Sequence, residues 1–326
     1  MSKVIVTGAA GFVGSTLVET LLAQGHHVIG IDGFTDYYDT RIKHRNLDSV
    51  LNEPRFQLIQ DDIRNLDWPS LFKEVDVVYH QAAQAGVRAS WGKGFQTYTE
   101  LNINSTQVLL EAAKDANLSR FVYASSSSVY GNAIAYPTTE ETLPQPVSPY
   151  GVTKLAAEHL CRLYHVNYGV PTVSLRYFTV YGPRQRPDMA FHKFLKAALD
   201  NEPISVYGDG QQTRDFTFVQ DIVAANLAAA EAPGAIGEVF NVGGGSRISL
   251  RDTISMMEEI VGEPIPINYT ESSKGDARHT SADVSKAQQI LSYQPQVSLQ
   301  EGLKQEWEWL QQLYTYLHSP PRQPVA

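Results

Sequence analysis

A β-branched run, Val4, Ile5 and Val6, followed at once by Gly8, Gly11 and Gly14, leaves the start of this chain very few ways to fold. The run reads as a buried parallel strand and Gly8 as the tight turn that leaves it. Gly11 is where bare backbone meets a pyrophosphate, and Gly14 is where a helix packs close. That helix, from Phe12 and Val13 to about Gln24, directs its unpaired N–H groups and positive dipole end at the phosphates. A second strand, HVIGI, ends at Asp32, placed to accept hydrogen bonds from the adenine ribose and to repel a 2′-phosphate. The predicted cofactor is NAD rather than NADP.

The chain has 326 residues, 43% of them hydrophobic, enough for two intimately joined domains. Its net charge of −9 argues against nucleic acid or an anionic membrane as partner, because both require a basic face. Any bound anion must then be held by local arginines. The one cysteine, Cys161, lies in a helical pattern and reads as a small core residue of a reducing compartment. The first strand starts at residue 3, leaving no room for a cleaved signal, and no apolar run approaches the roughly 20 residues of a membrane helix. A cytoplasmic location is expected, and no metal site is predicted.

Strand and helix signals alternate to about residue 176, with VIV, HVIGI, RFQLI, DVVYH, RFVYAS and TVSLR as the strands. The pattern predicts an α/β fold, a Rossmann-type doubly wound parallel sheet. Beyond 177 the segments shorten and carry more Gly and Pro, which predicts a smaller, interlaced α/β lobe. FTFV and EVFNV are apolar enough to return to the first sheet. The expected division is 1–176 with 216–243 returning to it, then 177–215 and 244–318 as the second lobe, and 319–326 as a flexible tail. Long helices at about 93–115 and 148–168 carry Leu109, Leu110, Leu155, Ala156, Leu160 and Leu163. One stripe faces the sheet, and another suits a homodimer by four-helix packing.

RFVYASSSSVYG puts four serines at the carboxyl end of a predicted strand, the sheet edge at which such folds bind ligands. SPYGVTK then supplies Tyr150 and Lys154, four apart and so on one helix face. A phenol ionises near pH 10, but an adjacent ammonium and the positive nicotinamide ring of NAD would favour the phenolate. Tyr150 then takes a proton from a sugar hydroxyl while hydride leaves for the cofactor.

Together TGAAGFVG, Asp32, DDI at 61–63, HQAAQAGVR, SSSSVYG, SPYGVTK and RYFTVYGPRQRPDMAFHKF resemble the extended short-chain dehydrogenase/reductases that modify nucleotide sugars. The resemblance runs from Lys3 to about Leu313 and is greatest to the UDP-glucuronate 4-epimerases. It implies Tyr150 as base, Lys154 as its modulator and ribose anchor, and Ser126 as the hydroxyl that meets the substrate 4-hydroxyl. It places Asp62 and Ile63 beside the adenine, with Asp61 standing where a glycine is common and Asn65 where an aspartate is. His80, Ala82 and Ala83 fall in the segment lining the pyrophosphate and nicotinamide ribose, although His80 reads equally as a satisfied core histidine.

Relatives that dehydrate or decarboxylate their sugar carry an acidic residue just after the substrate-binding hydroxyl. This chain has Ser127 and Ser128 there, which favours epimerisation. Thr179, followed by GPRQRPDMAF, resembles the glucuronate enzymes, and Ser126, Ser127, Ser128 and Thr179 form a hydroxyl set suited to a carboxylate. The 4-keto form of glucuronate is a β-keto acid, so holding its carboxylate away from the perpendicular of the carbonyl plane would suppress loss of carbon dioxide. Arg186 lies in the same loop, and Arg88 falls near the entrance. Arg214 resembles the arginine that meets the nucleotide diphosphate, Asp276 the residue that binds uridine ribose, and Arg278 a further phosphate ligand. Thr280 is small where some UDP-hexose epimerases limit substituents on carbon 2, which leaves N-acetylhexosamines sterically open. Epimerisation of neutral UDP-hexoses and UDP-glucuronate decarboxylation stay as alternatives, as do a non-catalytic NAD sensor and an ordinary dehydrogenase.

Overall fold

Val4 and Val6 pack into one apolar cluster with Leu17 and Ile222, whereas Ile5 between them packs into another with Leu109, Ala157 and Cys161. Successive strand residues point to opposite faces, so a strand apolar at every position needs cover on both. The computed structural model describes residues 1–133, 135–245, 247–271 and 277–319. In chain order its first part runs β1 (Lys3–Thr7), α1 (Phe12–Ala23), β2 (His27–Ile31), α2 (Thr40–Leu47), β3 (Phe56–Ile59) and α3 (Trp68–Leu71). There follow β4 (Val77–His80), α4 (Phe95–Tyr98), α5 (Ser105–Ala113), β5 (Arg120–Ser126), α6 (Pro149–Tyr168) and β6 (Thr172–Tyr177). The remainder is β7 (Thr179–Tyr181), α7 (Ala190–Leu199), β8 (Ile204–Tyr207), β9 (Thr213–Phe218), α8 (Val219–Glu231) and β10 (Val239–Val242), then β11 (Arg247–Ser249), α9 (Leu250–Val261), β12 (Ile267–Thr270), α10 (Ser285–Leu291) and α11 (Leu299–His318).

Seven parallel strands form the main sheet in the order β10-β6-β5-β4-β1-β2-β3. The order reverses between β1 and β4, and their carboxyl ends open the crevice in which such sheets bind ligands. EVFNV joins this sheet as β10, paired with β6. FTFV does not. It forms the end of β9, between β7 and β11 in a separate three-stranded sheet, where Phe216 and Phe218 pack with Tyr181, Phe191 and Leu303. Apolarity specifies that a strand is buried but not in which sheet, and the second lobe has its own core.

The helix expected over about 93–115 is α4 and α5 joined by a π-helical turn, Thr99–Asn104. The extra residue in the turn carries buried Asn102 inward, where its amide accepts from Gln84 N at 2.7 Å and donates to Gln84 O and Thr153 Oγ1, both at 3.0 Å. α6 is regular, started by Ser148, whose hydroxyl accepts from Gly151 N, and stopped by Gly169 at φ 73°. No helix among the described residues is long and apolar enough to cross a membrane. Of the expected tail, residues 320–326 lie outside the described residues.

Candidate active site

A cleft of about 1270 Å³ separates the two lobes. Gly8, Gly11, Phe12, Val13 and Gly14 form its floor below the end of β1. Gly8 adopts φ +68°, and a Cβ there would stand 2.9 Å from Ala82 Cα; one on Gly14 would collide with the carbonyl of Gly8. The turn has no room for side chains, which leaves bare backbone and the start of α1 facing the cleft, the donor set a pyrophosphate requires. Ala82 and Ala83 line the cleft beside this turn.

Asp32 is buried at the end of β2, where it accepts from Ala10 N at 3.1 Å, Phe34 N at 2.8 Å and Lys43 Nζ at 2.8 Å. Lys43, from α2, was not apparent in the sequence as a site residue. It lines the cleft beside Asp32 and lies 5.6 Å from the ring centre of Tyr38. Its only sequence signal is a basic residue on the helix after the second strand. Asp62 and Ile63 are not in the cleft wall. The Asp62 carboxylate caps the following turn and pairs with Arg64 at 2.8 Å, and Ile63 packs in the core with Trp68.

Ser126 ends β5, and its Oγ accepts from Ser128 N at 3.1 Å, which bends the chain into the turn Ser127–Val129. All three serines line the cleft with Thr179, the first residue of β7. Tyr150 lies in the first turn of α6, in the cleft wall with Ser126 and edge-on to Tyr98 at 6.2 Å between ring centres. Burial raises the Tyr150 pKa, while the Ser126 hydroxyl and the Arg186 guanidinium draw it down against Asp188. Lys154, one turn on, is buried with Nζ 4.5 Å from the centre of the Tyr123 ring. Burial pushes its pKa down to about 7, against the partial support of Cys161 and Glu158. Arg186 adds a second positive charge that favours the phenolate, one the tyrosine–lysine spacing does not reveal.

His80 is a core histidine. Its ring nitrogens meet Thr7 Oγ1 at 2.7 Å and Thr106 Oγ1 at 2.9 Å, and burial, with Lys154 nearby, pushes its pKa down to about 3. Thr7 Oγ1 also accepts from Ala82 N, so the histidine braces the cofactor wall without entering the cleft.

Below the helix Arg176 and Glu158 form a buried bidentate pair, Nη2–Oε1 2.6 Å and Nε–Oε2 3.0 Å, and Oε2 also accepts from Ser125 Oγ at 2.6 Å. Removing one partner of such a pair typically costs about 3–5 kcal/mol.

The outer part of the cleft is cationic. Arg186 is held by Asp188 through two bonds of 2.9 and 3.0 Å, and Tyr37 donates to the same carboxylate at 3.3 Å. The Arg88 guanidinium lies 4.1 Å from the centre of the Tyr207 ring. Arg214 Nη1 donates to the carbonyls of Thr213 and Arg278 at 2.9 and 3.0 Å, and Arg278 pairs with Asp209 at 2.9 Å. Among the described lining residues seven cations, Lys193 included, face three carboxylates, Asp32, Asp188 and Asp209. Each of the three carboxylates is bonded to a cation. A chain of net charge −9 thus gathers positive charge at this cleft. Thr280 is not in its wall, its hydroxyl accepting instead from Asp215 N at 3.3 Å. Asp276 lies outside the described residues.

Similarity to known proteins follows the whole chain. An uncharacterized UDP-glucose epimerase of Bacillus subtilis is 46% identical over 96% of this chain and 99% of its own length. A UDP-glucuronate 4-epimerase of Thermodesulfobacterium geofontis is 38% identical over 95% of this chain and 96% of its own. The crystal structure of a UDP-glucuronic acid 4-epimerase from Bacillus cereus with UDP-glucuronic acid and NAD superposes with a TM-score of 0.93, at 50% identity, covering 96% of this chain and all of that one. The sequence model of the NAD dependent epimerase/dehydratase family matches residues 4–243. With the glycine turn, the Tyr150–Lys154 helix and the serine strand meeting in one cleft, this chain belongs to the NAD-dependent epimerase/dehydratase family.

Proposed function

We propose that the protein inverts carbon 4 of a UDP-sugar, with UDP-glucuronate and UDP-galacturonate as its substrate pair. The observation that carries this reading is the meeting of Ser127, Ser128, Thr179 and Arg186 in one cleft with Tyr150. They offer hydroxyls and one guanidinium to a sugar carboxylate, and no acidic residue follows Ser126. A charge-assisted hydrogen bond contributes about 1.5–3 kcal/mol, so three or four of them set orientation as well as affinity. The relatives and the solved neighbour named for UDP-glucuronate support the same reading.

NAD supplies, when bound, the reversible acceptance of a hydrogen from carbon 4. The glycine turn would hold its pyrophosphate, and Asp32 with Lys43 its adenine ribose. Tyr150 takes the 4-hydroxyl proton and later returns it, and Ser126 orients that oxygen by hydrogen bonding. Lys154 and Arg186 stabilise the phenolate. The hydroxyl set holds the carboxylate in a plane that disfavours decarboxylation, and Arg88, Arg214 and Arg278 meet the diphosphate.

Incubation of the pure protein with UDP-glucuronate and NAD is expected to yield UDP-galacturonate with no net change in absorbance at the NADH band. A pentose product assigns decarboxylation instead, and accumulation of NADH an ordinary dehydrogenase. Parallel incubations with UDP-glucose and UDP-N-acetylglucosamine test the neutral-sugar reading, which the 46% identical UDP-glucose epimerase favours. Turnover of either faster than UDP-glucuronate overturns the substrate assigned here. A homodimer through α6 accords with exposed Val152, Leu163, Val166 and Tyr168 on its outer side; a monomer mass in sedimentation rejects it. A reducing cytoplasm fits the unpaired Cys161.

A further inference from the structure

Tyr150, Lys154 and Glu158 recur every four residues along α6, on the face turned toward the sheet. Glu158 is 4% exposed and is not among the residues that line the cleft. Its Oε2 accepts the Ser125 hydroxyl, and Ser125 directly precedes Ser126 at the carboxyl end of β5. Register pairs Ser125 with Arg176 on β6, and Arg176 closes the triangle on both Glu158 oxygens. Three bonds to one carboxylate thereby join the helix bearing the phenol, the strand bearing the serines and the neighbouring strand.

We propose that Glu158 is a positioning residue for the reaction, one that holds the Ser126 strand end against the Tyr150 helix and supplies the counter-charge for the Lys154 ammonium. The proposal rests on Tyr150 being the base. Ser125 transmits the first effect, since displacing its side chain displaces Ser126, which shares the cleft wall with Tyr150. The second effect follows from the groups around Lys154. Its own helix offers Glu158 and the thiol of Cys161. β5 offers the Tyr123 ring, and β4 offers His80, which burial keeps neutral down to about pH 3. Cys161 and Glu158 both raise the Lys154 pKa, and burial holds Cys161 as a thiol.

The test measures kcat and KM against pH for the full-length protein with saturating NAD and UDP-glucuronate, or UDP-glucose if that is the faster substrate. Glu158→Gln is expected to lower kcat about 10–100-fold with KM within about threefold, and to shift the alkaline limb of the pH profile downward. That limb moves because Lys154, without the carboxylate, deprotonates earlier. Glu158→Asp keeps the charge and the wild-type limbs while kcat falls. Ser125→Ala lowers kcat about tenfold and also leaves the limbs in place. A Glu158→Gln protein with lower melting temperature and an unshifted profile shows a purely structural role and overturns the proposal. If Glu158→Gln does not fold, Glu158→Asp and Ser125→Ala decide, and wild-type kcat in both overturns it. Tyr150→Phe runs alongside: full activity there rejects the base assignment itself, whereas an inactive Tyr150→Phe with unaffected Glu158 and Ser125 variants rejects only this proposal.

Discussion

The two ends of the cleft are built differently. At the inner end Tyr150 and Lys154 share the first turns of a 20-residue helix, and Ser126 ends a 7-residue strand that is buried throughout. At the mouth Arg88, Arg214 and Arg278 project from a short turn, the start of β9 and a loop, and lean on a ring, two carbonyls and an exposed aspartate. Proton transfer demands a fixed geometry, which regular elements and their packed neighbours maintain. Attraction of a diphosphate needs a positive field, which several mobile guanidinium groups provide together. Inner-end substitutions should therefore act on kcat, and those at the mouth on KM.

Tyr150→Phe gives the sharpest test. It is expected to lower kcat by about 10³-fold or more with substrate affinity little changed, read by steady-state kinetics and by calorimetric titration. An equal loss of affinity would dissolve the contrast between the two ends.

Lys154→Met comes next, with a kcat loss of about 10²-fold and an opposite effect on stability. The folded-state pKa of Lys154 lies near 7, below its ordinary 10.5, so between these values the unfolded chain binds more protons and stability rises with pH. Below pH 7 the folded protein bears the full cost of a buried ammonium. The methionine variant should melt higher than wild type at pH 6, and its advantage should shrink toward pH 10. A lower melting temperature at pH 6 would mean that the ammonium is satisfied by a bound group.

At the mouth, Arg214→Ala should raise KM about 10–100-fold, the loss of a charged hydrogen bond or two, while kcat stays within a few-fold. Added salt should shrink the difference. The smallest effect belongs to Thr179→Ala, between the two ends. One hydroxyl contributes about 1 kcal/mol, so selectivity for UDP-glucuronate over UDP-glucose should fall about fivefold, or a pentose by-product should appear on chromatography. Unchanged ratio and purity would remove Thr179 from carboxylate recognition.

Much of this architecture was legible in the chain. Gly8 and Gly14 carry their meaning locally, because a positive φ and a collision with a neighbouring carbonyl admit no other residue. Tyr150 and Lys154 are one helical turn apart whatever surrounds them. The serine strand, β-rich and apolar behind its polar end, is likewise a local pattern. Other features depend on partners far along the chain. FTFV is apolar in either sheet, and only the aromatic core of the second lobe drew it there. The π-helical turn exists because Asn102 reaches Gln84 and Thr153. Lys43 enters the site by pairing with Asp32, and Asp62 leaves it by pairing with Arg64.

Local rules along the chain set the kind of fold, the glycine turn and the Tyr150–Lys154 spacing, since each depends on conformational limits and spacings within a dozen residues. The tertiary structure decided which charges surround the phenol and where the cations gather. Glu158 and Lys43 gain their meaning only from burial and distance, and Coulomb energy depends on separation in space and on the water excluded between charges, neither of which is written in the order of residues.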